Sequence, residues 1–296
     1  MSVLDQQYPN LEYIIIDGGS TDGSVDIIRK YEDRLAYWVS EPDRGQAHAI
    51  NKGLQHATGD VFNWINSDDY LAPGALRSVA KAFSEHPSAK IVCGYTYCFF
   101  DETKEHSHTY RMGLKKNIAE TILNVEMNQP GSFYRMDVVK DFGGVNESLR
   151  YVFDDELWFR FLLKYGMEPV QLIDDRLANF RLHSSSKSIG EGFDQFSREI
   201  QSLYIDIAKG ADAPEWLINK MTECDHSLKY KPHGKWDLKC LDTKKFCAAF
   251  ATKYINSLYI NGQKIEAKQA MNMSIKNGYF KWNRMMVSLR TKLMFQ

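Results

Sequence analysis

The first hundred residues alternate between short apolar runs suited to strands and stretches with helical spacing, and this alternation restricts the fold more than any other feature. Residues 12–16 (Glu-Tyr-Ile-Ile-Ile) are rich in β-branched side chains with no polar face, the mark of a strand buried on both sides in a parallel sheet. Residues 17–23 form a turn of Gly, Ser and Asp, followed by Val25, Ile28, Tyr31 and Leu35 near helical spacing. Residues 36–40 read as a second strand, 46–57 as a helix with Ile50, Leu54 and Ala57 inward, and 60–65 as a third strand. Pro73 suits a first helical position, Leu76, Val79, Ala80 and Phe83 form a core stripe, and 90–100 is a fourth strand. The order β-α-β-α-β-α-β predicts an α/β fold with a mainly parallel sheet flanked by helices.

In such sheets ligands bind beyond the carboxyl ends of the strands. Three carboxylate clusters follow apolar runs: Ile-Ile-Ile-Asp17-Gly-Gly-Ser-Thr-Asp22-Gly, Trp64-Ile-Asn66-Ser-Asp68-Asp69, and Phe153-Asp154-Asp155-Glu156-Leu-Trp. Adjacent carboxylates at a strand end suit a divalent metal held against a diphosphate, since Mg2+ and Mn2+ take hard oxygen ligands and keep phosphate oxygens in their shell.

The second half is less regular. Residues 101–117 read as a loop and 131–135 as a short strand. Residues 155–165 read as a helix with Leu157, Trp158, Phe161, Leu162 and Tyr165 on one face and Gly166 as its stop. From about residue 191 the pattern is helical, with a helical hairpin over 244–277 turning at Gly262. Charge divides the chain similarly: residues 213–296 carry 15 Lys+Arg and 6 Asp+Glu, whereas the preceding residues carry 22 and 32. This predicts two units, 1–190 and a helical extension, 191–296. The acidic balance of the motif-bearing part argues against nucleic-acid binding. No apolar run approaches the ~18 to 20 residues of a membrane-spanning helix. The N-terminus lacks a basic and apolar leader, and the five cysteines show no CxxC spacing. Reduced thiols and a cytoplasmic location are expected, with the inner membrane face as a further possibility.

With these motifs laid out, the chain resembles the family 2 glycosyltransferases of the GT-A fold. The resemblance rests on Tyr-Pro-Asn-Leu-Glu-Tyr-Ile-Ile-Ile-Asp-Gly-Gly-Ser-Thr-Asp-Gly-Ser, then Ser40-Glu-Pro-Asp-Arg-Gly-Gln and Ala49-Ile-Asn-Lys-Gly-Leu, then Trp-Ile-Asn-Ser-Asp-Asp-Tyr, then Phe-Asp-Asp-Glu-Leu-Trp-Phe-Arg-Phe, and spans residues 1 to about 190. It implies inverting transfer of a sugar from a nucleotide diphosphate sugar to the hydroxyl of a saccharide or lipid-linked saccharide, aided by Mn2+ or Mg2+, in surface polysaccharide assembly. Two departures stand out. The family's opening strand, central in its sheet, has no counterpart here. That implies either a fragment or a sheet short of a central strand, with open apolar edges at Ile14, Ile15 and Ile16. The family's Asp-x-Asp reads Asn66-Ser67-Asp68, with Asp69 following.

The resemblance assigns roles residue by residue, and each has a plainer alternative. Asp68 is the principal metal ligand with Asp69 and His183 beside it, or Asn66 to Asp69 is ordinary turn chemistry. Asp17 contacts the nucleotide, or caps its own turn. Asp43, Arg44, Lys52 and Asn66 face the base or diphosphate, or are solvated polar groups. Asp154 is the general base that deprotonates the acceptor, or a helix N-cap. Glu156, Arg181 and Lys187 contact acceptor or phosphate, or lie on the surface. The basic, aromatic tail after Tyr279 lies on an anionic membrane surface, or packs on its own domain or a second subunit. Two rivals remain at this level: a nucleotide-binding but inactive fragment or scaffold, and a nucleotidyltransferase. The second would need a Gly- and Lys-rich phosphate loop, and the chain has none.

Overall fold

The computed structural model describes residues 1–183, 192–224, 230–280 and 284–294. Its strands are β1 (Ile14–Asp17), β2 (Tyr37–Ser40), β3 (Val61–Phe62), β4 (Tyr70–Leu71), β5 (Ile91–Phe100), β6 (His106–Tyr110), β7 (Ser132–Arg135) and β8 (Val170–Leu182). Its helices are α1 (Ser24–Arg29), α2 (Gln46–His56), α3 (Ala75–Glu85), α4 (Ile118–Leu123), α5 (Met136–Asp141), α6 (Phe153–Tyr165), α7 (Gly192–Gly210), α8 (Glu215–Cys224), α9 (Thr243–Ile260), α10 (Lys264–Lys276) and α11 (Arg284–Met294). One compact unit comprises residues 1–113, 126–161 and 167–195; the other comprises 114–125, 162–166 and 196–296.

In the first unit, β1 and β2 form a parallel pair from Ile14 opposite Tyr37 to Asp17 opposite Ser40. A six-stranded sheet runs β3-β7-β5-β8-β4, with β6 also on β5. The α/β class with flanking helices stands, and the larger sheet is mixed. Among the described residues β5 and β8 pair in parallel, and its other pairings are antiparallel. The link from Phe100 to His106 is too short for a parallel crossover, so β5 and β6 pair antiparallel. β6 occupies part of the stretch expected as loop. The third expected strand shortens to Val61–Phe62, after which Asn63 donates its side-chain amide to the Ser132 carbonyl at 2.8 Å.

The core follows from the stripes. Helix α3 buries Ala75, Val79, Ala82 and Phe83, which cluster with Leu71, Val92, Phe133 and Leu177 from the sheet. Each such large apolar side chain contributes about 1.5–3 kcal/mol on burial. The Ile14 to Ile16 run is partly buried rather than bare. Helix α2 packs on β1 with Gly53 facing Ile14 and Ile16, where a Cβ would make ordinary contact at 3.4 Å from Ile16.

The second unit is helical. The spacing over 244–277 resolves into α9 and α10, joined through Gly262 at φ +79°. Phe246 and Phe250 stack with centroids 6.0 Å apart, and Lys253 donates to the Leu123 carbonyl of α4 at 2.6 Å. Helix α11 packs on α10 and buries Met286, Leu289 and Leu293. Those three side chains are therefore covered by protein. No helix among the described residues is long and apolar enough to cross a membrane.

Candidate active site

The loop between β3 and β4 carries Asn66, Asp68 and Asp69, and β4 fixes what stands beside it. Pairing of Tyr70 with Asn179 and of Leu71 with Ala178 aligns the end of β8 with this loop, so residues more than 110 apart in sequence meet. The Arg181 amide donates to a carboxylate oxygen of Asp69 at 3.0 Å, and the Arg181 Nε donates to the Asp68 carbonyl at 3.0 Å. His183 Nε2 lies 2.8 Å from Asp68 Oδ2. Asn66 donates to Asp69 at 3.3 Å and accepts from the Gln46 amide at the start of α2. Burial pushes the Asp69 carboxyl up to about 6, and the like charge of Asp68 adds to the shift.

Among the described residues no three His, Cys, Asp or Glu side chains form a ready metal cage. The donor set nonetheless fits Mg2+ or Mn2+, which need only one or two carboxylates when phosphate oxygens complete the shell. Asp68 and Asp69 are adjacent, and burial, with the Asp68 charge as a smaller cause, raises the Asp69 carboxyl.

At the carboxyl end of β1, Asp17 accepts from the backbone amides of Gly19 at 3.1 Å and Ser20 at 2.9 Å, and from the Ser40 hydroxyl at 2.6 Å. Burial would raise its pKa, but these bonds and that from the Ser20 hydroxyl outweigh it and hold the carboxyl at about 2. Asp17 thus fixes its own turn while remaining ionised. Asp43 caps the Gly45 amide at 2.7 Å and packs on Gly18, where a Cβ would meet its carboxylate at 2.7 Å. Arg44 pairs with Glu147 at 2.6 Å, and Lys52 pairs with Glu41 at 2.7 Å. Both cations carry carboxylate partners of their own.

Helix α6 supplies the third acidic group. Asp154 is its second residue, inside the first turn rather than at the capping position, and is partly exposed. Asp155 is 3% exposed, and its carboxyl is pushed well up by burial and then by the Asp154 charge. Glu156 is not placed to touch an acceptor. It is 1% exposed and held by Arg160 through contacts of 3.0 and 2.7 Å. Arg160 also donates to the carbonyls of Phe142 and Gly144 at 2.7 and 2.8 Å. Lys187 lies outside the described residues.

Residues 1–143 match the family model described as Glycosyl transferase family 2. Over that stretch, just under half of its length, the chain is similar to that family. An uncharacterized glycosyltransferase of Rickettsia typhi is 25% identical over 228 residues, covering 74% of this chain and 69% of that one. The putative teichuronic acid biosynthesis glycosyltransferase TuaG of Bacillus subtilis is 29% identical, covering 69% and 82%. Other relatives are matched over as little as 32% of their length. The crystal structure of S. aureus TarS 1–349 in complex with UDP-GlcNAc superposes with a TM-score of 0.55 at 18% identity, covering 95% of this chain and 87% of that one. At that identity the likeness is one of fold.

Within this chain, Asn66, Asp68, Asp69, Arg181 and His183 are brought together, while Glu156 faces inward. Sequence reasoning gave no role to Trp64, Tyr110 or Tyr134. Trp64 stacks on Tyr134 at 6.5 Å and leans on Phe153 at 6.3 Å, so the metal-type loop and the start of α6 share one aromatic wall. Tyr110 sits near the acidic start of α6: burial raises its pKa, and Asp155, Glu126, Cys98 and Asp154 add to the rise. Trp64 lay inside a quoted motif and was the one findable signal. Tyr110 lay in a stretch read as loop.

Proposed function

We propose that this glycosyltransferase is metal-dependent and inverting, moving a sugar from a nucleotide diphosphate sugar to a hydroxyl of a polysaccharide or lipid-linked saccharide. The observation that carries the reading is the grouping of Asp68 and Asp69 with Arg181 and His183, walled through Trp64 and Phe153 to the helix that bears Asp154. The UDP-GlcNAc of TarS and the teichuronic acid of TuaG support a uridine nucleotide donor and an anionic polymer acceptor.

In this reading Asp154 accepts the proton of the acceptor hydroxyl as that oxygen bonds to the anomeric carbon. The bond from that carbon to the diphosphate breaks on the opposite face, and the configuration inverts. Asp68 and Asp69 would hold Mg2+ or Mn2+, whose chemistry when bound is to neutralise charge on the departing diphosphate. Arg181 and His183 orient those carboxylates and present cationic or donor groups to the phosphates. Asp17 and Asp43, fixed at the ends of their strands, bound the nucleoside side, and a cytoplasmic setting suits such a donor.

The test is release of UDP from UDP-GlcNAc by the full chain with a polyanionic glycan acceptor and Mn2+, with and without chelator. Release that stops with chelator or in Asp68→Ala supports the reading. Chelator-resistant release removes the metal, and absence of UDP binding removes the donor assignment.

A further inference from the structure

A cleft opens beside Tyr70, the residue that follows the acidic loop. Tyr70, Asn179 and Tyr97 are successive partners across β4, β8 and β5, so their side chains share one face. They line the cleft, of about 610 Å³, together with Phe99. Arg181 links this cleft to the acidic loop: it donates to the Asp68 carbonyl at 3.0 Å and stands 3.6 Å from Asp101, the partner of Lys104 in the lining. The size falls within the ~300–1,000 Å³ of ligand sites.

The lining has a specific chemistry. The rings of Tyr70 and Phe99 lie 5.6 Å apart and tilted by 54°, and Tyr70 is 39% exposed. These offer flat apolar faces beside the phenol groups and the buried amide of Asn179. Arg176 is exposed, with its guanidinium 5.3 Å from the Tyr97 ring centroid, and among the described residues no carboxylate pairs with it. Lys104 adds a second cation, whose own partner is Asp101 at 2.6 Å, and Asp5 is the one carboxylate in the lining. Aromatic faces suit the C–H faces of sugar rings, amide and phenol groups suit hydroxyls, and a stacked guanidinium suits a carboxylate or phosphate.

We propose that this cleft holds a segment of an acidic oligosaccharide on Tyr70, Tyr97 and Arg176 rather than on the Asp68 and Asp69 group. The inference rests on the proposed glycan acceptor for its biological sense, but its geometry and test are independent of turnover. A segment held here anchors a growing polymer while another part of it is glycosylated.

The experiment is calorimetric titration of the full chain with tetragalacturonate, with neutral cellotetraose, and with UDP. The expected result is tetragalacturonate binding that weakens by roughly tenfold or more in Arg176→Glu, the loss of one charge-assisted contact. Tyr97→Ala should weaken it similarly, while Asp68→Ala leaves it unchanged. Cellotetraose should bind roughly tenfold more weakly or not at all. Unchanged binding in Arg176→Glu, equal binding of the neutral sugar, displacement by UDP, or no binding at concentrations on the order of ten millimolar would each overturn the proposal. Loss of the UDP response alone strikes the donor assignment and leaves this cleft standing.

Discussion

The Nε2 of His183 lies 2.8 Å from Asp68 Oδ2, across the gap closed by pairing β4 with the end of β8. A carboxylate oriented by an imidazole is held in one rotamer for a cation or a phosphate. Loss of such an orienting partner weakens metal binding by ~10–100-fold. His183→Ala should therefore weaken Mn2+ binding in the presence of UDP by that amount, read by titration calorimetry. Asp68→Ala should abolish it. Unchanged Mn2+ affinity in His183→Ala would show that the contact serves only to close the loop.

Arg160 and Glu156 form a pair in which the carboxylate side chain is 1% exposed and the guanidinium side 11%. Breaking a buried pair from one side leaves an uncompensated charge and costs about 3–5 kcal/mol. Arg160→Ala should lower unfolding stability by about that amount in urea melts. Glu156→Gln in the same background should recover part of the loss. A loss of activity in Arg160→Ala without a fall in stability would return Glu156 to an acceptor role.

Asp17 sets a pH dependence. Its carboxyl drops from an ordinary 3.8 to about 2 on folding because hydrogen bonds from Ser20, Ser40 and Gly19 outweigh the burial that opposes them. A depressed folded value stabilises the native state above the unfolded pKa, and that stabilisation is lost as pH falls through the folded value. The stability gap between the wild type and Asp17→Asn should be full above about pH 5 and close towards pH 2. Equilibrium unfolding at several pH values reads it, and a gap independent of pH would mean that the hydrogen bonds do not discriminate charge.

Gly94 carries a packing prediction. A Cβ there would lie 2.5 Å from both the Asp175 carbonyl and the Leu177 side chain, where the β5–β8 register shifts. The carbonyl is backbone and cannot swing away. Overpacking of this kind typically costs about 1–3 kcal/mol, so Gly94→Ala should lower the melting temperature of the whole chain. An unchanged melting temperature would show that the irregular strand absorbs the methyl group.

What the sequence disclosed was local, and what it concealed depended on distant pairing. Asp17, Asn66, Asp68 and Asp69 followed apolar runs, so their place at strand ends was readable by period alone. Strand β8 was not, because Asp174, Asp175 and Arg176 sit mid-strand and are exposed where the register shifts; a charged, uneven run breaks the alternation that marks a strand. The mixed sheet escaped notice because β6 reveals itself only by pairing with β5, and β7, though readable as a short strand, shows its antiparallel direction only in that pairing. The role of Glu156 turned on Arg160 one helical turn later, an i,i+4 relation present in the sequence but overshadowed by the neighbouring carboxylates. Residues 114–125 and 162–166 join the helical unit through packing that no linear pattern announces.

The neighbours Asp154 and Asp155 should separate cleanly on substitution. Asp154 is partly exposed at the start of α6, whereas Asp155 is buried and its carboxyl is raised by burial and then by the Asp154 charge. A raised folded value means that stability falls as pH rises through the unfolded value towards the folded one. Asp155→Asn removes that cost, so its gain in stability should appear at neutral pH and vanish below about pH 4. Asp154→Asn should keep UDP affinity and lose turnover by about 10²–10⁴-fold, the contribution of a positioned base. Pairing melting curves with UDP release on both variants decides between them. If Asp155→Asn loses turnover at unchanged stability while Asp154→Asn retains it, the base is the buried carboxylate, and Asp154 serves only to start the helix.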